Sequence, residues 1–149
     1  MVGSLASFDD RGLELRTLAA QKLDLNVPLS NWHNARDGFA RLVQTLELVN
    51  ASLTRIARDL YALQSTDIGE AFEQGEAGRG KSSGMPHKRN PRAAEFAQAL
   101  ATLGRQRASG IAQVMAQEHE RSGGTYIAEW MLIPETFLLT SGAVKWMRE

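Results

Sequence analysis

The pattern that most constrains this chain is Phe39, Leu42, Leu46, Val49, Leu53, Ile56, Leu60 and Leu63. The steps alternate three and four without a break, which is a sustained heptad seam. The residues between are mostly polar or small, as in Arg41, Gln44, Thr45, Glu47, Asn50 and Arg58. The spacing predicts one helix of roughly 25 to 30 residues, about 40 Å long at 1.5 Å per residue. Such a helix cannot bury its stripe alone and needs partner helices, in this chain or in another. Strand patterns are almost absent elsewhere. The expected fold class is therefore all-α, a bundle of long antiparallel helices.

The remaining helices are less regular. Asp9 or Asp10 is placed to cap a short helix over Leu13 to Leu23, which Asn26 and Pro28 end. Pro91 suits the first turn of another helix, with Phe96, Leu100, Leu103, Ile111 and Val114 as its apolar stripe. Arg107 falls in that stripe and implies a partly wet or paired interior. Gly123 and Gly124 mark a break. A last helix carries Ile127, Trp130, Met131, Phe137, Leu138 and Val144, with a kink or interruption expected at Pro134. Trp130 and Trp146 read as core or subunit-contact residues, and Arg36-Asp37, Arg55 and Arg58 as surface charges. One long loop, about 69–91, joins the second and third helices. Helices this long, without a second layer and still helical in pattern at Lys145 to Glu149, read as the middle of something larger.

Composition narrows the function classes. The 149 residues suffice for one domain with a real core, and 43% are apolar. Lys plus Arg and Asp plus Glu are both 17, so no whole-surface attraction to nucleic acid is expected. There is no cysteine, which excludes disulfides, thiolate zinc sites and a cysteine nucleophile, and fits a cytoplasmic protein. No apolar run approaches the ~18 residues of a membrane span. The first residues lack the basic start and apolar core of a signal peptide. His33, His87 and His119 have no metal-ligand spacing, so no metal site is expected.

The chemistry concentrates in the loop. Gly75 to Ser82 fit the phosphate-loop pattern G-x-x-x-x-G-K-[ST]. A phosphate loop, however, joins a buried strand to a helix. Here a heptad helix precedes it, and Gly84 and Pro86 oppose a helix beginning at Lys81. The match is accidental. What remains is a run of cations, Arg79, Lys81, Lys88, Arg89 and Arg92, with His87 among them and no acid. On a neutral chain this is either a solvated linker or a concentrated anion site. The Ser82-Ser83 pair among glycines can sit where several N–H groups point at one spot, which would stabilise a serine alkoxide acting as a base.

Ser82-Ser83-Gly84-Met85-Pro86-His87-Lys88-Arg89-Asn90-Pro91 resembles the signature of the fumarase/aspartase superfamily, G-S-S-x-M-P-x-K-x-N-P. Every defined position is present except the leading glycine, where this chain has Lys81. The stretches "GSLASFDDRGLEL" and "QEHERSGGTYIAEWMLIPE" are similar to the 3-carboxy-cis,cis-muconate cycloisomerase branch. Adenylosuccinate lyases share the His119-Glu120-Arg121 element.

The resemblance implies a central helical bundle that assembles as a homotetramer, its active sites shared between subunits. It implies that residues 1–149 are a partial central domain, with N-terminal and C-terminal parts of the family chain absent and the piece alone inactive. The implied reaction interconverts 3-carboxy-cis,cis-muconate and 4-carboxymuconolactone, in the protocatechuate branch of aromatic catabolism, by proton transfer at the carbon alpha to a carboxylate. The partner would be a small polycarboxylate, and no metal or organic cofactor is needed. By position, Ser82 matches the general base and Ser83 helps hold substrate. Lys88 and Asn90 match the pair that binds a substrate carboxylate. Glu95 matches an acidic position that supports a catalytic histidine in adenylosuccinate lyases. Arg121 is a candidate anion contact, and His87 a candidate to line the site. Lys81 in place of glycine would either restrict the backbone before Ser82 or add a cation beside it. The alternatives are adenylosuccinate lyase or another fumarate-forming lyase, or a non-catalytic helical assembly module.

Overall fold

The computed structural model describes residues 3–74, 79–121 and 123–149. A short 3-10 stretch, Ala6–Arg11, leads into α1 (Gly12–Lys22). The heptad seam forms a single helix, α2 (Asp37–Leu63). After the long loop come α3 (Arg92–Ala108), the one-turn α4 (Ile111–Val114) and α5 (Gly124–Met147). An isolated antiparallel bridge joins Lys81 and Arg89, and the described residues form no strand, so the fold is all-α. Among the described residues no helix is long and apolar enough to cross a membrane.

The bundle is built from α2, α3 and α5. Ala40 and Val43, early in α2, cluster with Ala108 at the end of α3 and with Ile111 and Val114 of α4. Ala57, late in α2, meets Ala94 and Ala97 at the start of α3. These two helices are therefore antiparallel. Leu132 and Ile133 of α5 pack on the first cluster and Trp146 and Met147 on the second. Thus α5 runs with α2 and against α3.

The face turned inward is not the one that side-chain size predicts. From α2 the buried residues are Ala40, Val43, Asn50, Thr54 and Ala57. From α3 they are Ala93, Ala94, Ala97, Ala101, Gly104 and Ala108, and from α5 Glu129, Thr136, Thr140 and Ala143. Small side chains let helix axes approach closely. Gly104 shows how closely, since a Cβ built there would lie 2.6 Å from Asn50 Nδ2. Asn50 Nδ2 donates to Thr140 Oγ1 at 2.8 Å across the core. The buried hydroxyls of Thr54 and Thr140 donate to the carbonyls of Asn50 and Thr136, one turn back. The polar groups that this face buries are thereby largely satisfied.

The large apolar residues correspondingly point outward. Phe39, Leu42, Val49, Ile56 and Leu60 of the seam are half-exposed, as are Phe96 and Leu103 of α3. On α5, Ile127, Trp130, Met131, Phe137, Leu138 and Val144 are exposed, Leu138 at 72%. The expected apolar stripes exist as helix faces but do not form the core within this chain. Each long helix has two faces to bury, and only the small-residue face finds a partner here.

Other expectations need smaller corrections. Neither Asp9 nor Asp10 caps α1; its N-cap position is Arg11, and no side chain bonds the helix end. Ile111 and Val114 are buried as expected, but on a separate turn rather than on α3. Arg107 is exposed and bonds Glu135 of α5 at 2.7 Å. Pro134 lies within α5 without interrupting it. Trp146 stacks on Phe96 with ring centroids 4.8 Å apart.

A leucine at position 104 has nowhere to go, whereas a small polar residue at 138 disturbs nothing within the chain. Gly104→Leu should lower stability by about 1–3 kcal/mol or more, read by urea unfolding. Leu138→Ser should stay within about 0.5 kcal/mol. Equal losses at the two positions would contradict the assignment of inner and outer faces.

Candidate active site

The signature loop is fixed at its stem by α3. The first four N–H groups of a helix have no partner within the helix. In α3 the N-cap Pro91 has no N–H, the three that remain are satisfied, and the first helical bond follows at Glu95. Arg92 N donates to Asn90 O at 2.9 Å and Glu95 N to Pro91 O at 2.9 Å. Ala93 N and Ala94 N donate to the two carboxylate oxygens of Glu73 at 3.0 and 2.8 Å. The negative carboxylate also suits the positive end of the helix dipole. Glu73 is steadied in turn by Gln64, whose Oε1 accepts from Glu73 N at 2.9 Å.

Ten residues before Asn90 the loop is closed a second time. Asn90 N and Asn90 Nδ2 both donate to Gly80 O, at 2.9 and 3.0 Å. Gly80 has φ +71, and a Cβ there would lie 2.4 Å from Asn90 O. Glycine is therefore required at 80 by conformation and by space. Lys81, the departure from the family signature, forms the bridge with Arg89 and does not have a positive φ. Its side chain introduces no backbone strain.

Between these closures the loop presents its chemistry. Met85 N donates to Ser82 Oγ at 3.2 Å, and Lys88 N to Met85 O at 3.0 Å. Ser82 and Asn90 are half-buried, while Ser83, His87 and Lys88 are exposed. Met85, His87, Lys88 and Asn90 line one side of a cleft of about 650 Å³, with Tyr61 and Gln64 opposite. Ser82 and Ser83 are not among the lining residues. Glu95, on the first turn of α3, bonds Arg92 at 2.6 Å. Of the basic run, Arg79 pairs with Glu149 at 2.7 Å and lies over the Trp146 ring. The cluster is thus partly neutralised by its own fold.

The phosphate-loop match does not have the architecture that such a site needs. Residues 75–78 lie outside the described segments, no strand precedes Arg79 among the described residues, and the next helix begins only at Arg92. Among the described residues no group of His, Asp and Glu is arranged to hold a metal.

Arg121 is not part of this loop cluster. It lies at the opposite end of the bundle, about 25 Å away along the 17 residues of α3. Arg121 Nη2 bonds Glu129 Oε1 at 2.7 Å, and its guanidinium lies 4.5 Å from the Tyr126 ring centre. Glu129 also accepts from Arg36, through Nε at 2.7 Å and through Nη2. Arg36 is only 7% exposed and stacks 4.0 Å from the centre of Phe39. The expectation of an Arg36-Asp37 surface pair is overturned, because Arg36 turns inward to reach a carboxylate 93 positions away.

Sequence reasoning missed Glu73, Arg36 and Glu129. The one signal for Glu129 was a lone acid inside the apolar run Ile127 to Ile133. Removing one partner of a buried ion pair leaves the other charge stranded. Glu129→Ala should therefore cost about 3–5 kcal/mol in chemical denaturation. Glu95→Ala, which breaks a half-exposed pair, should cost under about 1 kcal/mol. Comparable losses from the two would show that the Arg36–Glu129 pair is not a buried tie.

With this geometry in place, comparison with known proteins is informative. A family model described as lyase matches residues 10–104. The chain is 44% identical over 142 residues to a 3-carboxy-cis,cis-muconate cycloisomerase of Bradyrhizobium diazoefficiens, covering 95% of this chain and 32% of that protein. It is 37% identical over 134 residues to an N-acetyl-S-(2-succino)cysteine lyase of Enterococcus italicus, covering 90% and 30%. The fold superposes on the 3-carboxy-cis,cis-muconate lactonizing enzyme of Pseudomonas putida with a TM-score of 0.80 and 37% identity, covering 97% of this chain and 31% of that one. The chain thus spans about a third of the length of the relatives it matches. With more than half of its residues matched by the family model and its helices superposing on a family structure, the chain belongs to the lyase family, within the fumarate lyase superfamily.

Proposed function

We propose that this chain supplies the signature loop of a 3-carboxy-cis,cis-muconate cycloisomerase. The observation that carries the reading is the doubly closed loop. It bears Ser82, His87, Lys88 and Asn90 on a chain 44% identical to a protein of that name. In the proposed reaction a substrate carboxylate oxygen adds to a carbon–carbon double bond and closes a lactone. The electron pair displaced from the double bond moves to the carbon alpha to another carboxylate. Ser82 Oγ–H gives that carbon its proton, and in reverse Ser82 alkoxide removes it. The Met85 N–H already directed at Ser82 Oγ favours the alkoxide.

The neighbouring groups fit a polyanionic substrate. Lys88 brings a positive charge to the cleft wall. Asn90 spends one side-chain N–H on Gly80 and keeps a second for a substrate oxygen. Ser83 and His87 are proposed to complete the contact, and Glu95 to support the site from the start of α3. Arg121 would bind a carboxylate at the other end of the bundle. Since one copy cannot bring Ser82 and Arg121 together, they would serve different sites in an assembly of several copies. The exposed apolar faces of α2 and α5 support such an assembly, a homotetramer in this reading. Residues 1–149 then act as part of a central bundle and have no turnover alone.

A fumarate-forming elimination is the second reading, favoured by the relative named N-acetyl-S-(2-succino)cysteine lyase. It would use the same Ser82 in the proton-removing direction. A substrate panel on the complete protein separates the readings. Lactonisation of 3-carboxymuconate is the expected outcome; fumarate release instead would select the second. Ser82→Ala should lower kcat about 10²–10⁴-fold. Near-normal turnover would remove Ser82 from this role.

A further inference from the structure

Two cations of the signature loop have no task in the fold or in the proposed reaction. Arg79 pairs with Glu149 and Arg92 with Glu95. Lys88 faces the substrate. Lys81 and Arg89 have no ion-pair partner among the described residues, and both are exposed. Yet the backbone sets them against each other, because they form the antiparallel bridge that joins the two sides of the loop. Asn90 N donates to Gly80 O, just outside the pair, so the pair itself exchanges no backbone hydrogen bonds. In that arrangement facing side chains come closest, with Cβ atoms about 4.5–5.5 Å apart. Like charges directly opposite destabilise such a pairing. Here the pairing is held regardless, since Gly80 O accepts from both Asn90 N and Asn90 Nδ2. An anion between the two side chains would replace their repulsion by attraction. Arg89 also lines the cleft of about 650 Å³ beside His87, Lys88 and Asn90, and none of the residues lining it is Asp or Glu.

We propose that Lys81 and Arg89 form a second anion subsite at the rim of this cleft, separate from Lys88 and Asn90. It takes one further carboxylate of the substrate and so selects tricarboxylates over dicarboxylates. Arg89 offers a planar fork of donors that matches a carboxylate, and Lys81 a mobile point charge across from it. Lys81 is the position at which this chain departs from the signature, so the subsite belongs to this chain and not to the signature as such. The inference rests on the reading that the cleft binds a polycarboxylate, but not on which reaction follows.

The test is isothermal titration calorimetry of the complete protein at fixed ionic strength. Its probes are tricarballylate and glutarate, which share one carbon chain and differ by the central carboxylate. Tricarballylate should bind about tenfold more tightly than glutarate. Lys81→Met keeps the apolar stem and removes the charge; it should weaken tricarballylate about fivefold and leave glutarate within about twofold. Arg89→Gln should act in the same direction, and Lys81→Arg should retain the discrimination. If Arg89→Gln disturbs the loop, Lys81→Met, at an exposed position, still decides. Glutarate binding without that discrimination, or an equal loss of both acids in Lys81→Met, would overturn the subsite alone. Binding of neither acid would overturn the polycarboxylate reading with it.

Discussion

How near α3 can come to its neighbours governs most of this structure. Ala97, Ala101 and Gly104 offer almost no side chain, so α2 and α5 close on α3 until Asn50 and Thr140 bond across it. With a larger residue at 104 the carboxamide of Asn50 would be displaced, and with it the register of all three helices. The contact is specific because it is polar. A face of alanines alone can slide, whereas the Asn50–Thr140 bond fixes one axial position. The unsatisfied Oδ1 of Asn50 is the small remaining cost of that choice.

The loop inherits its order from the same helix. Once the bundle sets where α3 begins, its free N–H groups become anchors, and Glu73 and Asn90 tie the chain to them on either side of the serines. Gly80 then receives two hydrogen bonds on one carbonyl. The tip carrying Ser82 to Lys88 thus rides on a stem fixed at both ends, which fits the requirement that reacting groups be held on rigid support.

Much of this was legible in the sequence, and what was not has a physical reason. The span of α2 followed from eight apolar residues in unbroken three–four steps, because periodicity reports helical geometry directly. The signature was legible because its residues are consecutive. The inner face was not, because ranking residues by hydrophobicity favours Leu42 and Phe39 over Ala40 and Val43, and nothing local tells which face has a partner. Arg36, Glu73 and Glu129 escaped for a related reason. Each looks like a surface charge until its partner, 93 positions away for Arg36 and 20 for Glu73, is brought to it by the fold.

An interior of alanine, glycine, threonine and asparagine also has a thermal consequence. The heat-capacity change of unfolding grows with apolar surface exposed and shrinks with polar surface exposed. Melting this bundle uncovers less hydrocarbon than its apolar content suggests, since Leu42, Leu48 and Leu60 of α2 and Leu138 of α5 are already exposed in the folded chain. Its stability curve should therefore be shallow, with little difference between cool and warm conditions. Covering those outer faces with other helices would add the missing hydrocarbon burial, and only then would the curve acquire the pronounced dome of an ordinary globular protein.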